Sequence, residues 1–142
     1  IPGHGLAKVD SHFKLPIIKN KYKDLFNKDF FVFKNKKSLF SMTSHILYEN
    51  IDQLYPATHS KKIINLIRIK IGFKNIILSD DVSMKALKHS TSKNTRLAFK
   101  AGCNLVMHCN ANMQEMINVA ENSPYIDSFI IKKTYEFYNI VS

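Results

Sequence analysis

Two short stretches hold the side chains best suited to acid–base or nucleophilic chemistry. The chain opens "IPGHGLAKVDSH", placing His4, Asp10 and His12 among Pro2, Gly3 and Gly5 in a stretch too irregular for helix or strand. Imidazole titrates near pKa ~6.5, so it can give a proton and retrieve it near neutrality, and a carboxylate close by can fix its tautomer and steady the cation. By residue type alone an Asp-x-His pair in a loop is also ordinary surface decoration. A metal site built from His4, Asp10 and His12 is conceivable by ligand type alone. No tight ligand spacing supports a metal, and neither a metal nor another cofactor is expected. The second stretch is "NIILSDD", an apolar run ending in Asp80 and Asp81. A carboxylate at a strand end is rigidly aimed, as a nucleophile must be, although it could equally cap the next turn. If strand geometry persists through the pair, Asp81 points away from Asp80. His45, at the end of "SMTSH", either touches a ligand or packs against the strand ends. His59, His89 and His108 read as structural or exposed.

Elements must exist to position these groups, and the composition supports them. At 142 residues and 45% hydrophobic content, one domain's worth of chain has enough apolar material for a core. No apolar run approaches the roughly 18 residues of a membrane span. The net charge of +10 suggests nucleic acid, yet all basic residues except Arg68 and Arg96 are lysines, and they are scattered along the chain. Phosphate recognition usually draws on the bidentate guanidinium, so neither nucleic acid nor a membrane is expected as a partner. Cys103 and Cys109 lack metal-ligand company and suit a reducing compartment, which points to the cytoplasm.

Along the chain the pattern reads loop, helix, strand, helix, strand, helix, strand, helix. Residues 1 to 20 form the loop, and an amphipathic helix is expected within 21 to 37. "SLFSMTSHILY" reads as one strand near 39 to 47. Ser60 caps a helix whose Ile63, Ile64, Ile67 and Ile71 share a face and which Gly72 stops. Strands follow near 75 to 79 and 104 to 109, separated by a helix ending at Gly102, and helices near 111 to 122 and 126 to 139 close the chain. Continuous apolar strands alternating with helices imply parallel pairing, with chemistry collected at the carboxyl ends. Three such strands leave apolar edges uncovered, so the chain reads as the carboxyl-terminal piece of something larger.

"PGHG", "VDSH", "SMTSHILY", "PATHS", "IGFKNIILSDDVSMKAL" and "AGCNLVMHCN" resemble, in that order and at similar spacing, the bacterial beta-N-acetylhexosaminidases of glycoside hydrolase family 3. The resemblance covers residues 1 to about 110. It implies an α/β fold that is part of a TIM (β/α)8 barrel. The chain would span roughly the second half, from the end of strand 5 through strand 8, with 111–142 a helical tail on the same domain. The activity implied is retaining hydrolysis of terminal beta-N-acetylglucosamine from peptidoglycan fragments. Carried over block by block, Asp80 becomes the nucleophile, His12 the proton donor oriented by Asp10, and His45 a candidate substrate-binding residue. His59 stands where the family has an apolar side chain.

The family's Lys-His pair before the "PGHG" block is absent, as are the sugar ligands of the first barrel half. Two expectations follow. Either the chain belongs to an active enzyme on N-acetylglucosamine-containing muropeptides, as part of a full-length enzyme or completed by a separate amino-terminal half, or it is an inactive remnant of a split or decaying gene.

Overall fold

The computed structural model describes residues 1–142 as an α/β fold with two parallel sheets. Its organising element is β4, Ile76–Asp81, which pairs in parallel with β2, Phe40–Met42, on one side and with β5, Leu105–Met107, on the other. The sequence of β4 accounts for its central place. Ile76 and Ile77 are fully buried, the composition of a strand covered on both faces. The β4–β5 register slips between Leu78 and Asp81, and the Ser79 hydroxyl fills the gap by accepting the Met107 N–H at 3.0 Å.

The helices on one face begin and end where local chemistry dictates. α2, Lys61–Leu66, starts at Ser60, whose Oγ accepts the Ile63 N–H, and runs on as a wider π turn through Ile67–Ile71. It stops at Gly72, which takes the left-handed conformation at φ 82°. α3, Thr91–Ala101, is capped by Ser90 and ends at Gly102, φ 114°. There a Cβ would also lie 3.0 Å from Ile64 Cγ2, so the close packing of α3 on α2 and the turn both call for glycine. Ile63, Ile64, Ile67, Ile71, Ala98 and Cys103 pack with Ile77 of β4 into the main core. Each fully buried isoleucine there contributes roughly 1.5–3 kcal/mol.

Two expected elements are broken. "SLFSMTSHILY" is not one strand. β2 ends at Met42, and Leu47–Tyr48 form β3, which joins β1, Ile17–Ile18, in a separate parallel pair. Between them the backbone changes partners: the Thr43 N–H still bonds the Leu78 carbonyl, whereas the Ser44 N–H bonds the Ile1 carbonyl and the Leu47 N–H the Pro16 carbonyl, while Thr43 and His45 both meet the Thr58 hydroxyl, at 2.9 and 2.8 Å. The amphipathic stretch 21–37 forms only α1, Tyr22–Asn27, and a 3₁₀ turn, Phe31–Phe33, because the chain turns inward to bury Phe30.

The C-terminal helices are α4, Met113–Glu121, and α5, Ser128–Val141. α5 buries only Ile130, touches the sheet through Phe137 against Phe40, and leaves Tyr135, Tyr138 and Ile140 exposed. No helix is long and apolar enough to cross a membrane.

Candidate active site

The two carboxylates that end β4 are held differently. Alternation along the strand sends Ile77 and Ser79, both fully buried, toward the helix layer and leaves Leu78 and Asp80 half-buried on the other face. Asp81 is fully engaged. Its Oδ1 accepts the Ser83 N–H at 2.9 Å and the Cys109 N–H at 3.3 Å, and both its oxygens lie 2.8 Å from the Ser83 hydroxyl. Asp80 accepts one bond, from the Asp81 N–H to Oδ1 at 2.8 Å, and its Oδ2 takes none from the protein. Asp81 therefore ties β4 to β5 and shapes the turn after the strand, while Asp80 keeps an oxygen available for chemistry.

The "PGHG" to "DSH" loop arrives at the same end of the sheet. Its start is fixed by the buried Tyr48 hydroxyl, which donates to the Gly3 carbonyl at 2.7 Å. Its far part is joined to the turn after β4, where the Lys85 N–H donates to the His12 carbonyl at 3.3 Å. Within the loop Asp10 Oδ1 receives the His12 backbone N–H at 2.9 Å and lies 2.8 Å from the ring Nδ1. The hydrogen bond to Asp10, then its charge, hold His12 above the usual imidazole range, and Asp80 and Asp81 add smaller pulls. Asp10 in turn is held below the carboxylate range, first by the His12 N–H and then by the ring. With the Nδ1 proton directed at Asp10, Nε2 is the nitrogen left to exchange a proton with a ligand.

His45 has no surface exposure. Its Nε2 donates to the Asp81 carbonyl at 2.8 Å and its Nδ1 accepts from Thr58 at 2.8 Å. Burial depresses its pKa, so the ring stays neutral, and both nitrogens are taken. Both ring nitrogens of His45 are thus engaged within the protein, under the strand end. His4 lies 3.4 Å from the Ser11 hydroxyl, apart from the Asp10–His12 pair. His108 meets Glu115 of α4 at 2.9 Å, and His89 is exposed. No three His, Cys, Asp or Glu side chains gather as a metal site would require.

Three partners were not visible in the sequence pattern: Ser83, Thr58 and Asp29, whose Oδ1 accepts the Gly5 N–H at 3.2 Å. Ser83 had a local signal, the Asp-x-Ser turn. Thr58 and Asp29 had none, because each meets residues distant in the chain.

Residues 1–133 match the family model described as the glycosyl hydrolase family 3 N terminal domain. The chain belongs to glycosyl hydrolase family 3. It is 36% identical over 116 residues to the beta-hexosaminidase of Psychromonas ingrahamii, an alignment covering 77% of this chain and 34% of that one. With the beta-hexosaminidase of Nitrosomonas eutropha it shares 32% over 114 residues, 77% of this chain and 33% of that one. The chain thus spans about a third of the length of the curated relatives it matches. Among solved structures it is similar to NagZ from Neisseria gonorrhoeae, with a TM-score of 0.79 and 27% identity over 94% of this chain and 40% of that one. A glycoside hydrolase family 3 beta-N-acetylglucosaminidase from Paenibacillus shares the fold, with a TM-score of 0.79 at 22% identity over 86% of this chain and 24% of that one.

For a family 3 chain the arrangement offers a half-buried carboxylate with a free oxygen at the same end of the sheet as an exposed imidazole, one of whose nitrogens a carboxylate holds. That set can attack an electrophilic carbon and carry a proton separately.

Proposed function

We propose that this chain supplies the catalytic side chains of a retaining glycosidase that removes terminal beta-linked N-acetylglucosamine, with peptidoglycan fragments recycled in the cytoplasm as the substrate. The observation that carries the reading is the division at the end of β4: Asp81 is consumed by four contacts, whereas Asp80 Oδ2 is free at the end of the sheet where Asp10 orients His12. In the first step Asp80 attacks the anomeric carbon, the bond to the leaving oxygen breaks, and His12 Nε2 gives that oxygen its proton. In the second, Nε2 takes a proton from water, which attacks the same carbon and frees Asp80. Asp10 keeps the ring in the right tautomer and stabilises the imidazolium that exists before the first step and after the second. His45 supports the floor of the site through the Asp81 carbonyl.

The half-barrel reading belongs to the same proposal: the chain forms the end of strand 5 through strand 8, with 111–142 as a helical tail. It is supported by the free edge of β2, along which Ile1 is bound as a parallel strand would be. The Ile1 N–H donates to the Met42 carbonyl at 2.5 Å and the Ser44 N–H to the Ile1 carbonyl at 3.0 Å. The amino-terminal half of the barrel, on the same protein or on a separate chain, would cover that edge and bring sugar-holding residues, without which near-attack geometry is lost.

The test is to combine the chain with the amino-terminal half of a family 3 barrel and trap the intermediate with a fluorinated N-acetylglucosamine analogue, followed by peptide mass mapping. Label on Asp80 is expected. Label on Asp81 or Asp10 would overturn the assignment, and normal turnover with no label would overturn the covalent mechanism.

A further inference from the structure

We propose that Asp29 is a positioning residue for the acid–base loop: its carboxylate seats the Gly3–Gly5 turn and, through that turn, sets where His12 stands. Three observations meet at this side chain. Its Oδ1 accepts the Gly5 N–H at 3.2 Å. Its Oδ2 occupies the space over Gly3, where a Cβ would lie 2.2 Å from Oδ2 and 2.5 Å from Cγ. A Cβ on Gly5 would lie 3.1 Å from Oδ1. The two glycines of "PGHG" are thus small because a carboxylate lies across them. Neither has the positive φ that would otherwise demand glycine.

The carboxylate is itself held from behind. The Phe30 N–H closes on the Leu25 carbonyl at 2.9 Å at the end of α1, and the buried Phe30 ring packs edge-on against Tyr48 with centroids 5.2 Å apart. Tyr48 is the residue whose hydroxyl holds the Gly3 carbonyl. Asp29 and Phe30 therefore grip the same turn, one directly and one through Tyr48. Oδ2 is buried with no hydrogen-bond partner, and burial raises the Asp29 pKa above the ordinary aspartate range, with the Gly5 N–H opposing. A buried carboxylate oxygen left without a partner is costly. A role that depends on its exact placement explains why an acid occupies this position rather than an apolar residue filling the same gap.

The effect on His12 rests on the glycosidase reading above, and the experiment separates the two. In the 142-residue chain itself, Asp29→Ala should make the Gly5 amide exchange about 5- to 10-fold faster, the loss of one hydrogen bond. Asp29→Asn should restore protection, since its side-chain oxygen can accept the same N–H. Unchanged Gly5 exchange in Asp29→Ala overturns the proposal. Gly3→Ala should loosen the loop, and Asp29→Ala in the same chain should partly restore it; no restoration means the carboxylate is not what the new Cβ meets, and overturns the proposal too.

In the assembled enzyme Asp29→Ala should lower kcat by roughly 10- to 100-fold on substrates whose leaving group needs a proton, the scale of a misplacement of about 1 Å. Substrates with good leaving groups should be spared in the first step. An equal loss on both substrate classes would mean general damage to the site and would overturn the proposal. An assembled wild-type enzyme with no activity would instead count against the glycosidase reading, and the Gly5 exchange would still decide the role of Asp29.

Discussion

Asp80 stands at the end of β4, held in register by a parallel neighbour on either side, whereas His12 stands on a loop without helix or strand, with its side chain 70% exposed. The first is positioned by the sheet. Even the residue after it, Asp81, is spent on tying the strand end to Ser83 and Cys109. The second is positioned by a few contacts: Asp10 on its ring, Lys85 on its carbonyl, and Tyr48 and Asp29 on the glycine turn that begins the loop. On the proposed glycosidase reading, the difference is a division of labour. A nucleophile must reach one carbon along one line, so it belongs on a rigid strand end. A proton donor that later acts as a base must serve two oxygen atoms in turn, and a tethered loop allows that movement.

The largest expected effect tests the rigid side. Asp80→Ala in the assembled enzyme should reduce turnover by at least about a thousandfold and abolish labelling by the fluorinated analogue. Next comes the mobile side. His12→Ala should slow substrates with poor leaving groups by roughly 10²- to 10⁴-fold. It should spare the first step for good leaving groups, so that burst kinetics show the glycosyl-enzyme accumulating. Equal losses on both substrate classes would erase the distinction drawn between the two regions.

Stability should divide the same way. Asp81→Ala strands the Ser83 and Cys109 N–H groups and should destabilise the chain by about 1–3 kcal/mol in denaturant unfolding. His12→Ala, on an exposed loop, should leave the unfolding midpoint nearly unchanged. A comparable loss from both would mean the loop is as integral to the fold as the strand.

The smallest effect concerns pH. Because Asp10 raises the folded-state pKa of His12, the stabilisation from the pair is fully present below the unfolded imidazole value of about 6.5 and is lost as pH rises through the folded value. Asp10→Asn should therefore move the His12 titration, followed by NMR of the ring, to lower pH. The alkaline limb of activity should move with it. A titration that does not move would show that the carboxylate leaves the imidazole untouched.

Much of the fold is legible in the order of residue types alone. Ser60 and Gly72 mark where α2 with its π turn begins and ends, and Gly102 marks the end of α3, because caps and left-handed stops are made by neighbouring residues. The apolar runs of β4 and β5 announce parallel strands. The break in "SMTSHILY" is not legible. It depends on where the backbone finds partners: β2 pairs with β4, whereas β3 finds its partner in β1, 30 residues earlier, in a stretch whose pattern is that of a plain loop.

By itself the sequence determined what its local patterns encode: helix limits, the parallel α/β character, and a set of groups, Asp10, His12, His45, Asp80 and Asp81, able to do acid–base and nucleophilic chemistry. Only the tertiary structure decided how those groups divide. Asp81 is engaged because the Cys109 N–H, 28 residues on, reaches its carboxylate, and Asp80 is left with a free oxygen. His45 is closed off because Thr58 and the Asp81 carbonyl take both its nitrogens, and Asp29 matters because it meets Gly5 across 24 residues. The physical reason is range. Caps and periodicity act within a few residues and leave a mark in the order of residue types, whereas a hydrogen bond between distant segments exists only once packing has brought them together, and no local pattern records it.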